Sequence, residues 1–191
     1  MAEKTRILAP ATLLILLAVA SFAAALITIT NITEWRVYAK TPPIVKVDGK
    51  LKGYNYGNYV TVDTYFAEDG TNRTVISVLG FTGDPVKYDN VLFICNKDYQ
   101  GYTYNVQLVY RGLLHGTTWD YVQYIKLYFP DDTNVLYIDG GTTGTPSTGP
   151  RIIPPGTCDT VSVEVLVKPD APADGSTRLI AIQVDVVAIK P

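Results

Sequence analysis

The chain has 191 residues, of which 47% are hydrophobic and 18% charged, with a formal net charge of -2. That is enough apolar material for a packed core, and it argues against wholesale disorder. The near-balanced charge excludes a binder driven by phosphate neutralisation, so no nucleic-acid partner is expected.

The first element is a leader. Met1-Ala2-Glu3-Lys4-Thr5-Arg6 is short and mildly basic, and from Ile7 to Thr33 there is no charged side chain. The apolar centre, Leu13 to Ala20, gives way to Ser21-Phe22-Ala23-Ala24-Ala25. A basic start, an apolar middle and an A-x-A end are the layout of a secretory signal peptide, here residues 1–25. Cleavage then leaves a chain starting near Leu26. A retained anchor is the alternative, since the run is long enough to span a bilayer. Membrane contact is expected only through this leader. A type IV-like pilin helix is a further option, although Arg6 is followed by Ile7 and not by a small residue. All these readings place the rest of the chain outside the cytoplasm.

From Leu26 onward the recurrent pattern is period two, in β-branched and aromatic residues cut by Gly, Pro, Asn and Asp. Ile27 to Thr30 alternates, and Trp35 to Tyr38 continues extended. Ile44–Asp48, Tyr59–Phe66, Thr74–Phe81, Tyr88–Cys95, Tyr102–Arg111, Tyr121–Phe129 and Val135–Ile138 follow. Thr160–Val167 and Arg178–Ile189 close the chain. Val161, Val163, Val165 and Val167 share one face, as do Ile180, Ile182, Val184, Val186 and Ala188. Such alternation marks strands half-buried in antiparallel sheets. About nine or ten short strands with turn signals between them predict an all-β fold, a jelly-roll-like antiparallel β-sandwich over residues 35–191.

The connections are equally legible. Glu68-Asp69-Gly70-Thr71-Asn72 reads as a hairpin loop, and Pro169 to Ser176 as a longer Pro/Gly-rich one. Gly140 to Pro150 is low-complexity and reads as an exposed loop without packed structure. Cys95 ends one strand and Cys158 begins another, and two cysteines in an exported chain are expected to pair as a disulfide. Asn31-Ile32-Thr33 and Asn72-Arg73-Thr74 are N-glycosylation sequons, so Asn31 and Asn72 are candidate acceptors.

Chemistry is hard to find. His115 is the single histidine and has no motif around it. No nucleophile elbow, phosphate-binding loop or metal-spaced histidine pair occurs, so no catalytic residue, metal ligand or cofactor is assigned. Asp69, Asp131, Asp132 and Asp139 read as turn formers, without calcium-loop spacing. All 14 tyrosines lie between Tyr38 and Tyr137. Tyr102, Tyr104 and Tyr110 share a strand face with Val106 and Leu108, and Tyr54, Tyr56 and Tyr59 sit in a Gly/Asn-rich loop. Tyrosine suits interfaces and carbohydrate platforms, but it also has plain strand propensity.

The sharpest feature follows the leader. Leu26, Ile27, Thr28, Ile29, Thr30, Asn31, Ile32 and Thr33 are uncharged, β-branched and terminal after cleavage, an unpaired strand in need of a sheet. This strand, within residues 26–34, either folds back or adds to a neighbour's sheet as a donor strand. Head-to-tail addition does not close, so it makes filaments.

An apolar leader ending in small residues and running into Ile27 to Tyr38, ahead of one tyrosine-rich β domain, resembles the archaeal bundling pilins. It is also similar to the TasA/camelysin-type biofilm-fibre subunits, although those chains are longer and the bacterial members lack the disulfide. The layout also resembles the cannula-type and thread-type archaeal filament subunits. The resemblance implies an exported jelly-roll subunit that polymerises by giving Leu26 to Thr33 to the next copy, its partner being itself, with no cofactor and no catalysis. The alternative is a monomeric extracellular binding module, carbohydrate-binding or S-layer-associated.

Overall fold

The alternation written along the chain becomes ten strands among the described residues, with no α-helix there: β1 (Ile44–Asp48), β2 (Val60–Phe66), β3 (Asn72–Val78), β4 (Pro85–Asn96), β5 (Tyr104–Leu113), β6 (Val122–Tyr128), β7 (Val135–Asp139), β8 (Arg151–Ile153), β9 (Cys158–Val167) and β10 (Ile182–Ile189). The computed structural model describes residue 36 and residues 41–66, 72–130 and 135–191. The leader and the strand expected over Leu26–Thr33, Asn31 included, lie outside the described residues. All ten strands belong to one unit, Thr41–Pro191.

Two sheets carry the fold. One runs β1-β4-β9-β6-β7, the other β10-β5-β8, and β2 and β3 form a separate hairpin; every strand pair is antiparallel. The molecule is therefore an all-β antiparallel sandwich, as the period-two pattern requires. Its core lies between the sheets. Ile94, Val106, Phe129 and Ile138 have no solvent exposure, and the valine face of β9 is buried throughout. The β2–β3 hairpin lays Val60, Val62, Ile76 and Val78 against the same core.

Local chemistry explains the irregular points. Between Tyr88 and Leu92 the β4–β9 register slips, and Asn90 adopts φ 60° there, a left-handed conformation that asparagine tolerates. Its backbone N–H donates to Ser162 Oγ at 3.2 Å, which replaces the lost ladder bond. At the far end of β4 the fully buried Asn96 donates from Nδ2 to the carbonyls of Tyr102 (2.8 Å) and Ile153 (3.0 Å), and its Oδ1 accepts from Asp98 N. One amide thus ties the β4–β5 turn to β8, with its polar atoms matched as burial demands.

The segment Gly140 to Pro150 departs from the sequence expectation. Thr148 is buried: its Oγ1 accepts from Leu108 N (3.0 Å), its N donates to Leu108 O and its carbonyl accepts from Gln107 Nε2. Tyr110 N also donates to Pro146 O. The second half of this segment therefore runs along β5 and leads into β8, a strand of three residues that period two did not reveal.

Candidate functional site

In a two-sheet sandwich the places left for a partner are the edges, where backbone groups and side seams lack neighbours. The edge strands are β1 and β7 in the large sheet and β10 and β8 in the small one. The seam on the β7–β8 side is crossed by the connection between those strands, and Thr148 is buried beside it. Among the described residues the other seam is uncovered. Between β1 and β10 lies a cleft of ≈ 480 Å³ lined by Pro42, Pro43, Ile44, Lys46, Tyr104 and Val184 to Ala188.

The burial pattern marks this seam as incomplete. Inward residues of central strands are closed off: Val106, Leu108 and Tyr110 on β5, Val161 to Val167 on β9. The inward residues of β10, Ile182, Val184 and Val186, pack on that core but remain only half-buried, and Ala188 is exposed. Among the described residues that inner face lacks full apolar cover. The backbone is open as well. Ala181 N and O both bond towards the β5 side, to Thr117 Oγ1 and Leu114 N. Alternation then turns the N–H and C=O of Ile182, Val184, Val186 and Ala188 to the free edge.

Electrostatics mark one end of the cleft. Lys46 pairs in register with Ile94, a fully buried residue, and shares a strand face with Ile44, so its stem enters the sandwich side of β1. Burial lowers its pKa, and the nearby Asp185 charge offsets this in part. Burial would raise the Asp185 carboxyl, but hydrogen bonds from Arg111 and Gln183 outweigh it and hold the group below its usual range. The Arg111 Nε–Asp185 Oδ2 contact is 2.7 Å.

The other candidate residues fall elsewhere. Cys95 and Cys158 form a disulfide across β4 and β9. It suits an oxidising compartment. Asn72 opens β3, paired with Phe66 at the hairpin end, and its side chain is outside the described set. His115 occupies the exposed turn after β5, with φ 57°. Among the described residues no group of three His, Cys, Asp or Glu side chains converges.

The tyrosines divide by role. Tyr110 is core, and Tyr104 packs against it with its hydroxyl on Asp98 Oδ2 at 2.9 Å. Tyr54, Tyr56 and Tyr59 each meet a ring of their own, Phe93, Tyr88 and Phe81, at 5.7, 6.2 and 5.9 Å. Tyr56 also donates to the Asp89 carbonyl, and burial first, with nearby negative charge, pushes its pKa up to about 12. These rings serve packing between strands and loops. The open seam itself was missed in the sequence, because its walls come from opposite ends of the chain.

The sequence matches no protein-family model, and no curated protein is significantly similar to it.

Proposed function

We propose that the protein is an exported structural subunit of an extracellular filament, in which Leu26–Thr33 of one copy adds as a strand to the free edge of β10 in the next. The observation that carries this reading is the β1–β10 seam, whose apolar inner face is half-covered and whose edge backbone is unpaired among the described residues. A strand laid there completes the sheet and closes the core together. Burying two isoleucines contributes roughly 3–6 kcal/mol before the cost of ordering the segment.

The exchange is heterologous, so each subunit that receives a strand still offers its own. The jelly-roll layout and the resemblance to bundling pilins and TasA-like fibres belong to this same reading. The reading calls for no cofactor and no catalytic step. Electron microscopy of the mature chain beginning at Leu26, beside one beginning at Glu34, tests it. Filaments from the first and single particles from the second are expected. Single particles from both would overturn the polymer reading and favour a monomeric glycan-binding module.

A further inference from the structure

We infer that Lys46 sets the register of the incoming strand by donating a hydrogen bond to the side-chain oxygen of Asn31 from the neighbouring copy. The inference rests on the strand-addition reading and names the residue that decides how the strand sits. Three observations converge on it.

The first is an ammonium lacking a match. Lys46 stands on the sandwich side of β1, and among the described residues it makes no hydrogen bond or ion pair. Asp185 is a nearby opposite charge, yet Oδ2 is held by Arg111 and Oδ1 by Gln183 (3.2 Å). An inward lysine on an edge strand also repels indiscriminate edge pairing. A strand that enters this seam must bring an oxygen.

The second is the order of environments along the seam. Ala188 pairs with Val106, two residues from Tyr104, and Asn96, the partner of Ile44, bonds the Tyr102 carbonyl, so Ala188 lies at the apolar Ile44–Tyr104 end, whereas Asp185 lies near Lys46. Followed from Ala188 to Val184, the lining is apolar, apolar and then charged, with Lys46 near an Asp185 already bonded by Arg111.

The third is the alternation of the segment itself. Ile27, Ile29 and Asn31 share one face of a strand, and Leu26, Thr28, Thr30 and Ile32 the other. The first face repeats the seam's order: apolar, apolar, oxygen-bearing. The match requires the strand to run antiparallel to β10, with Ile27 by Ala188, Ile29 by Val186 and Asn31 by Val184. Reversed, Ile27 would meet the ammonium and Asn31 the prolines. The opposite face would set two threonines against the apolar stretch. One consequence follows for the Asn31 sequon: a glycan there has no room in the seam, so inserted strands carry an unmodified Asn31.

The test is a cycle of variants in the mature chain beginning at Leu26, read as the critical concentration for filament assembly. N31L is expected to raise it about tenfold, the worth of one charge-assisted hydrogen bond, and K46M to restore N31L to near the native value. N31D is expected to assemble at least as readily as the native chain when Lys46 is present, and to lose assembly when combined with K46M. The melting temperature of unassembled K46M, no lower than native, separates a register effect from misfolding. Additive losses in N31L/K46M, or an N31D effect of the same sign with and without Lys46, would overturn the register assignment alone. Absence of filaments from the native chain would overturn the strand-addition reading with it.

Discussion

Cys95 and Cys158 are direct register partners on adjacent antiparallel strands, with a Cα–Cα distance of 4.0 Å and a sequence separation of 63. The loop they close holds β5, β6, β7 and β8, including the whole connection that seals one side of the sandwich. The bond therefore acts chiefly on the unfolded chain, by removing loop entropy.

Reduction, or the C95A/C158A double variant, is expected to lower unfolding free energy by about 4 kcal/mol on the chain-entropy relation. Equilibrium urea unfolding with and without reductant checks it. A loss below about 1 kcal/mol would show that the register already constrains the strands without the bond.

Thr148→Val keeps the volume of a buried side chain but deletes the oxygen that accepts from Leu108 N. The orphaned N–H lies in the core, so a cost of about 1–3 kcal/mol is expected. Hydrogen exchange should accelerate at Leu108 and Tyr110, since Pro146 to Thr148 is what caps that length of β5. An unchanged exchange rate there would contradict the pinned conformation.

These two sites show how unevenly the fold was written in the sequence. The β9 valine ladder was legible because its buried residues recur at every second position within one strand, and Ile44–Asp48 because a β-branched run is cut off there by Pro43 and Gly49. The β8 strand was not: Arg151–Ile153 is three residues between Pro150 and Pro154, and its partners on β5 lie far back in the chain. Thr148 looked like one more threonine in a Gly/Thr/Pro run, since nothing local distinguishes a solvated hydroxyl from one facing Leu108 N. The seam was hidden for the same reason. Nothing local singles out Lys46 within Ile44–Asp48, and only the placement of β1 beside β10 turns it into a feature of a cleft. The disulfide was legible as a pair of cysteines, and its place in the β4–β9 register was not.

Asp174 organises the β9–β10 connection. Oδ1 accepts from Ser176 N (2.8 Å) and Thr177 N (2.7 Å), and Oδ2 from Thr177 Oγ1 (2.6 Å). These bonds, led by the Thr177 hydroxyl, bring its pKa down from 3.8 to about 2. A depressed acid pKa contributes stability that is present above the unfolded value and is lost as pH falls through the folded one. The Ser176 and Thr177 amide resonances are therefore expected to hold their positions down to pH 3 and to move between pH 3 and 2. Movement centred near pH 4 would show that the turn does not hold the carboxylate.

Gly49 follows β1 and lies against the β4 irregularity. A Cβ built there would stand 2.2 Å from the Asn90 carbonyl oxygen and 3.2 Å from that of Val91. Both are backbone atoms, and Asn90 is held by its bond to Ser162, so no side chain can swing away. Gly49→Ala must displace the backbone of one strand or the other, and a loss of about 2–3 kcal/mol is expected. Gly141→Ala is the control: its Cβ would meet only Asp139 Oδ1, at 3.5 Å. That variant should stay within about 0.5 kcal/mol of the native chain. Thermal unfolding of both distinguishes close backbone approach from a general dislike of side chains in turns. Equal, small effects would mean that β1 moves freely beside Asn90, and the wall of the open seam would then be far softer than the register implies.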